Sequence, residues 1–226
     1  MISRMMKASI AATVMLGLMA ADAVAWGPLS QRVIASTALQ MIRRTHREAF
    51  KSSTGTYDED VLRGATAFPG SLSRTGTFTS DQAAILAVGE EVQLLRKARE
   101  YGIGSFMSYR MGVLSALVAD IMMPYGIALP SDPPQLKKQI ETDVDAHIAN
   151  YTFSPSGEAL VYVLEFERYF NDRRHFIAND TRVIGDDYMR GKKYNGFLRD
   201  GAEVYFRRSV EAVADVWNSV LRVKGA

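Results

Sequence analysis

"LSALVADIMMPYG", residues 114–126, carries a single charged side chain, Asp120. Helical spacing puts Met111, Leu114, Val118 and Ile121 on one face and Val113, Ala116 and Leu117 beside Asp120 on the other. A helix from about Ser105 to Met123 is therefore apolar almost all round, the pattern of a helix buried on every side. An ionised carboxylate in such a place costs several kcal/mol unless it is hydrogen-bonded, paired or metal-bound. Three partners are available to Asp120: an arginine or lysine of a neighbouring helix, a free α-amine, or a metal ion.

Apolar residues recur at helical spacing on both sides of this run. Pro28 suits a first helical turn, and Ile34, Ala38, Met41 and Ile42 follow it. Ser80 is an N-cap for a stripe of Ile85, Val88, Val92 and Leu95 that ends at Gly102. After the break "LPSDPP", Leu136, Ile140, Val144, Ile148 and Tyr151 form another stripe. Ala159, Val163, Phe166, Phe170 and Ile177 form a fifth, and "GDDYMRGKKYNG" (185–196) reads as a polar connection to a last stripe of Phe206, Val210, Val213, Trp217 and Val220. Residues 51–79 are the least regular, with "YDEDVLRGA" as a short helix inside a long loop. No segment alternates or repeats, so the expected fold is all-α, a single-domain multi-helix bundle.

The first 25 residues stand apart from that bundle. Arg4 and Lys7 precede a short apolar run, and Ala23 and Ala25 supply the small residues of a cleavable secretory leader. The run is shorter than the roughly 20 residues a spanning helix needs. Cleavage after Ala25 would leave a domain of residues 26–226 with Trp26 at its start, periplasmic or secreted, and with no transmembrane segment. The chain has no cysteine, so stability outside the cell must come from packing. Without Arg4, Lys7 and Asp22, 25 basic and 24 acidic residues remain, a net charge of +1. That balance excludes nucleic-acid binding by bulk charge.

The opening "WGPLSQRVIASTAL", the frame of "ALVADIMMPYG" and the ending "SVEAVADVWNSVL" together resemble the zinc-dependent phospholipase C and single-strand-specific nuclease superfamily. The resemblance implies an exported all-helical hydrolase with three zinc ions. In that family an N-terminal tryptophan chelates zinc through its amine and carbonyl, and one helix carries histidine, aspartate four residues on, and histidine six further. Here those positions hold Ala116, Asp120 and Gly126, and Gln31 stands where the first helix would carry histidine. The family's later histidine and carboxylate, four residues apart, fall either on Lys137 and Glu141 or on Glu141 and Asp145.

Trp26, Asp120, Glu141 and Asp145 are thus the remnant site, and none of the three histidines, His46, His147 and His175, occupies a ligand position. Zinc catalysis needs imidazole, thiolate and carboxylate ligands to acidify a bound water. The chain therefore lacks the ligands for a trinuclear zinc cluster. Two functions follow as expectations. The first is a non-catalytic domain, a pseudoenzyme that binds a protein partner or serves structurally, with no cofactor. The second is a phosphodiester hydrolase with calcium or magnesium on Asp120, Glu141, Asp145 and the Trp26 carbonyl, and with Arg173 or Arg174 holding phosphate. Glu141 and Asp145 flank an apolar stripe, a position that more often gives a solvated face.

Overall fold

Among the described residues eight α-helices form and no sheet. They are α1 (Pro28–Thr45), α2 (Asp58–Ala65), α3 (Asp81–Arg99), α4 (Ser105–Ile121), α5 (Pro134–His147), α6 (Phe166–Arg174), α7 (Ile177–Met189) and α8 (Phe197–Leu221). The computed structural model describes residues 26–53, 55–73, 77–127, 133–153 and 159–222. The leader expected over 1–25 and residues 129–132 of the break lie outside them. No helix among the described residues is long and apolar enough to cross a membrane.

The helix at the centre is α4, which buries every residue from Met111 to Ile121. The chain's two tryptophans hold it from different elements. Trp217 of α8 donates its indole N–H to the Met111 carbonyl at 3.0 Å, and Trp26 donates to Ala119 at 3.1 Å. Both rings are fully buried. Each combines a large apolar surface with one satisfied donor, the arrangement that makes buried tryptophan favourable.

Helices α2 and α4 meet backbone to backbone because glycines face across the contact. A Cβ on Gly64 would overlap the Tyr109 carbonyl, and one on Gly112 would overlap the Val61 carbonyl. The short helix expected within residues 51–79 is therefore a packed element, followed by a 3₁₀ turn at Pro69–Leu72.

Two further expectations need correction. The fifth stripe does not begin as helix, since residues 159–165 have no regular secondary structure and lie beside α8. Their backbone groups bond side chains of that helix. Val161 N–H donates to Asp215 at 2.8 Å and Val163 N–H to Ser219 Oγ at 2.7 Å, while Asn218 donates to the Val161 carbonyl at 3.0 Å. Apolar spacing gave no sign of those long-range partners. The polar run 185–196 is likewise not all connection, because α7 extends to Met189 and α8 already starts at Phe197.

Asp187 explains where α8 begins. Its carboxylate accepts from the Phe197 N–H at 2.8 Å, at the free N-terminus of the helix, and lies 2.9 Å from the Lys192 ammonium. A Cβ on Gly196 would collide with that carboxylate. The Phe197 N–H and then the Lys192 hydrogen bond hold the Asp187 carboxyl below its ordinary pKa.

Replacing Gly112 with alanine is expected to force α2 and α4 apart and to destabilise the fold by about 1–3 kcal/mol, the usual cost of overpacking, measured by urea unfolding. Because the folded Asp187 carboxyl titrates below its unfolded value, its contribution is present above the unfolded pKa and is lost as pH falls through the folded one. In acid titrations of stability, Asp187→Asn should remove that part of the acid dependence.

Candidate functional site

The remnant residues meet where the C-terminal end of α4, the N-terminal turn of α1 and one face of α5 come together. Gln31 lies in the first turns of α1 and is buried. Its side-chain amide donates to Asp120 Oδ1 at 2.9 Å and lies 3.3 Å from the Ala116 carbonyl. The structure thus brings three of the positions aligned by the resemblance, 31, 116 and 120, into one hydrogen-bonded group. The fourth, Gly126, is adjacent. Tyr125, with φ 59°, turns the chain back, and a Cβ on Gly126 would run into the Asp120 carbonyl.

Helix α5 contributes a charged column at four-residue spacing, Lys137, Glu141 and Asp145, beside the buried Ile140, Val144 and Ile148. Lys137 is buried and its ammonium donates to the Gly126 carbonyl at 2.9 Å. At the other end of the column, Asp145 accepts from the backbone N–H groups of Leu29 at 3.3 Å and Ser30 at 2.9 Å, and from the Ser30 hydroxyl. Those amides are among the four a helix N-terminus leaves without partners. Gly27, which offers no side chain to cap α1, has no room for a Cβ because the Asp145 carboxylate fills that space.

Between these ends sits Glu141. It is buried, with Oε1 2.9 Å from the exposed Lys138 ammonium and Oε2 without a hydrogen-bond partner. The Gln31 carbonyl oxygen is also buried and unpartnered. The solvated face expected for Glu141 and Asp145 is therefore corrected. Glu141 is enclosed, and Asp145 is half-buried as the cap of another helix.

Of the two registers open for the family's histidine and carboxylate pair, only Lys137 and Glu141 includes the side chain that reaches Gly126. Sequence reading missed the role of Gln31 because it sought a cation, an amine or a metal for Asp120. A carboxamide serves too, since a neutral N–H donated to a carboxylate is a charge-assisted bond.

The ligand set does not fit the zinc cluster that the resemblance implies. Gln31, Ala116 and Gly126 stand where the resemblance implies imidazoles, and among the described residues no three His, Cys, Asp or Glu side chains gather as a metal-binding group. The histidines have other surroundings. His46 bonds Asn218 Oδ1 at 2.8 Å, and His147 stacks on Tyr194 with 3.7 Å between ring centres. His175 is exposed just past the C-terminal end of α6. The arginines considered for phosphate are also engaged. Arg174 meets Asp81 at 2.7 Å and the Ile121 carbonyl at 3.2 Å, while Arg173 covers the Tyr169 ring 3.5 Å from Asp215.

No family model, curated protein or solved structure matches the chain.

Replacing Gln31 with leucine keeps the volume but takes the donor away from Asp120. The expected loss is about 1–3 kcal/mol, the cost of a buried group deprived of a partner. Adding Asp120→Asn should recover part of it, since the amide needs no charge-stabilising donor, and urea unfolding of the three variants measures both steps.

Proposed function

We propose that the chain is an exported, non-catalytic helical domain, a phospholipase C and nuclease-like scaffold whose site has become part of its core. The observation that carries this reading is the Gln31 amide between the Ala116 carbonyl and Asp120 Oδ1. A carboxylate that accepts a protein donor within the core has less capacity to hold a metal. Two neighbouring features support the same reading. The Lys137 ammonium bonds the turn at Gly126, and both Asp145 oxygens are committed to α1.

In this proposal the leader directs the domain to the periplasm or outside the cell, where it acts by binding a protein or as a structural element. Catalysis by a metal-activated water has no place in it. Zinc needs several nitrogen, sulfur or carboxylate ligands around one point, and the side chains at 31, 116 and 126 cannot supply them.

The mature chain, purified without chelators, should contain zinc, calcium and magnesium well below one ion per chain by elemental analysis. It should not hydrolyse a chromogenic phosphodiester with any of these ions or manganese added. Stoichiometric calcium or magnesium with metal-dependent hydrolysis would establish the oxygen-rich hydrolase instead, and more than one zinc per chain would overturn the reading of the ligands.

A further inference from the structure

Between α3 and the start of α6 the surface opens into a groove of about 620 Å³. Phe166 and Leu86 supply its apolar surface. A Cβ on Gly89 would touch the Phe166 ring at 3.4 Å, so the ring lies close against α3, and Leu86 beside it is 57% exposed. The rim is acidic. Glu90, Glu165 and Glu167 line the groove and are exposed, and among the described residues none of the three carboxylates has an ion-pair or hydrogen-bond partner. Arg168 is the one cation of the lining, and it stands 3.8 Å from Asp172. The groove is thus negative in a chain whose formal net charge is +2. Apolar surface rimmed by charge is the usual mark of a place where another molecule docks.

The opposite character appears at the end of α7. Met189 is 79% exposed, and Arg190, Lys192 and Lys193 follow it at the surface. The turn that carries them is fixed from within. Gly191 at φ 79° and Lys193 at φ 50° reverse the chain, the Lys192 N–H donates to the Asp187 carbonyl at 2.9 Å, and the Lys192 ammonium pairs with the Asp187 carboxylate. Arg190 and Lys193 make no ion pair among the described residues. A knob whose backbone is already ordered loses little conformational freedom on docking.

We infer that the basic turn 189–193 of one copy of the chain docks in the α3–α6 groove of another. Met189 meets Leu86 and Phe166, while Arg190 and Lys193 meet Glu90, Glu165 and Glu167. Two free cations beside an exposed methionine thus answer three free carboxylates beside an exposed leucine, and both halves of the match are present in this chain. They do not meet within one copy, since no residue of the turn lines the groove. Such a contact joins unlike surfaces, so it adds copies to one another unless its geometry closes a ring. The inference gives the binding or structural role proposed above a definite partner and rests on that reading for its purpose alone. Both surfaces lie outside the corner of α1, α4 and α5, so metal found in that corner would sink the proposed function and leave the association untouched.

Sedimentation equilibrium of the mature chain, from micromolar to millimolar concentration, tests it. The average mass should rise with concentration and fall when sodium chloride is added, because salt screens exposed charges. Glu90→Lys with Glu165→Lys, and separately Arg190→Glu with Lys193→Glu, should each weaken association at least tenfold. An equimolar mixture of the two variants should recover it to within about threefold of the wild type, because the reversed groove then meets the reversed turn. All four positions are exposed, so the substitutions leave the core intact. A wild type that stays monomeric throughout, association that the reversals leave unchanged, or a mixture no better than its components would overturn the inference. Binding of labelled oligolysine to a monomeric wild type, abolished by Glu90→Lys with Glu165→Lys, would assign the groove to a foreign basic partner and overturn it as well.

Discussion

Asp120 is an acid inside a helix that buries every neighbour from Met111 to Ile121, so the elements packed against α4 have to present polar atoms at one defined place. Taking a carboxylate out of water costs several kcal/mol, while one hydrogen bond to a charged group contributes about 1.5–3 kcal/mol. The Gln31 amide alone does not offset burial. It fixes the register of α1 against α4, and the turn through Tyr125 and Gly126 brings the Lys137 ammonium to the same corner. Trp26, Gln31 and Lys137 are thus placed by a requirement for donors as much as by apolar packing.

The same economy of donors and acceptors recurs at helix ends. Asp145 from α5 caps α1, and Asp187 from α7 caps α8, each carboxylate filling space that a glycine leaves open. At the other end of α8, Arg96 and Arg99 of α3 donate to the carbonyls of Ser219, Val220 and Leu221 at 2.6–3.0 Å. Positive groups suit a helix C-terminus and negative ones an N-terminus. Because these caps come from elements distant in sequence, each helix depends on its neighbours for its termini. A bundle built this way gains cooperativity without a disulfide, which the absence of cysteine requires.

Periodicity made the all-α class legible, and the uncharged run around Asp120 made its burial legible, because both depend on local spacing. What stayed hidden depended on pairs far apart in the chain. Residues 159–165 have helical apolar spacing, yet the Val161 and Val163 amides bond Asp215 and Ser219 of α8 and the segment is not helical. Glu141 and Asp145 looked like a solvated face because nothing in α5 tells that the first turn of α1 lies against it. Gln31 was visible only as a missing histidine. Its use as a donor becomes evident once the Ala116 carbonyl and Asp120 are seen 3.3 and 2.9 Å from one nitrogen.

Charge balance limits what the corner between α1, α4 and α5 can hold. Asp120, Glu141 and Asp145 bring three negative charges, against which Lys137 and the exposed Lys138 bring two positive ones. The N-terminus of α1, directed at Asp145, adds the equivalent of about half a charge. The deficit that remains is less than one unit. A divalent ion would leave this corner strongly positive in a region of low dielectric, and a cluster of three would do so far more. Lys137 already brings a positive charge of its own, and a buried ammonium repels any cation placed nearby. The Lys137 ammonium therefore supplies part of the charge that an ion in this corner would otherwise supply.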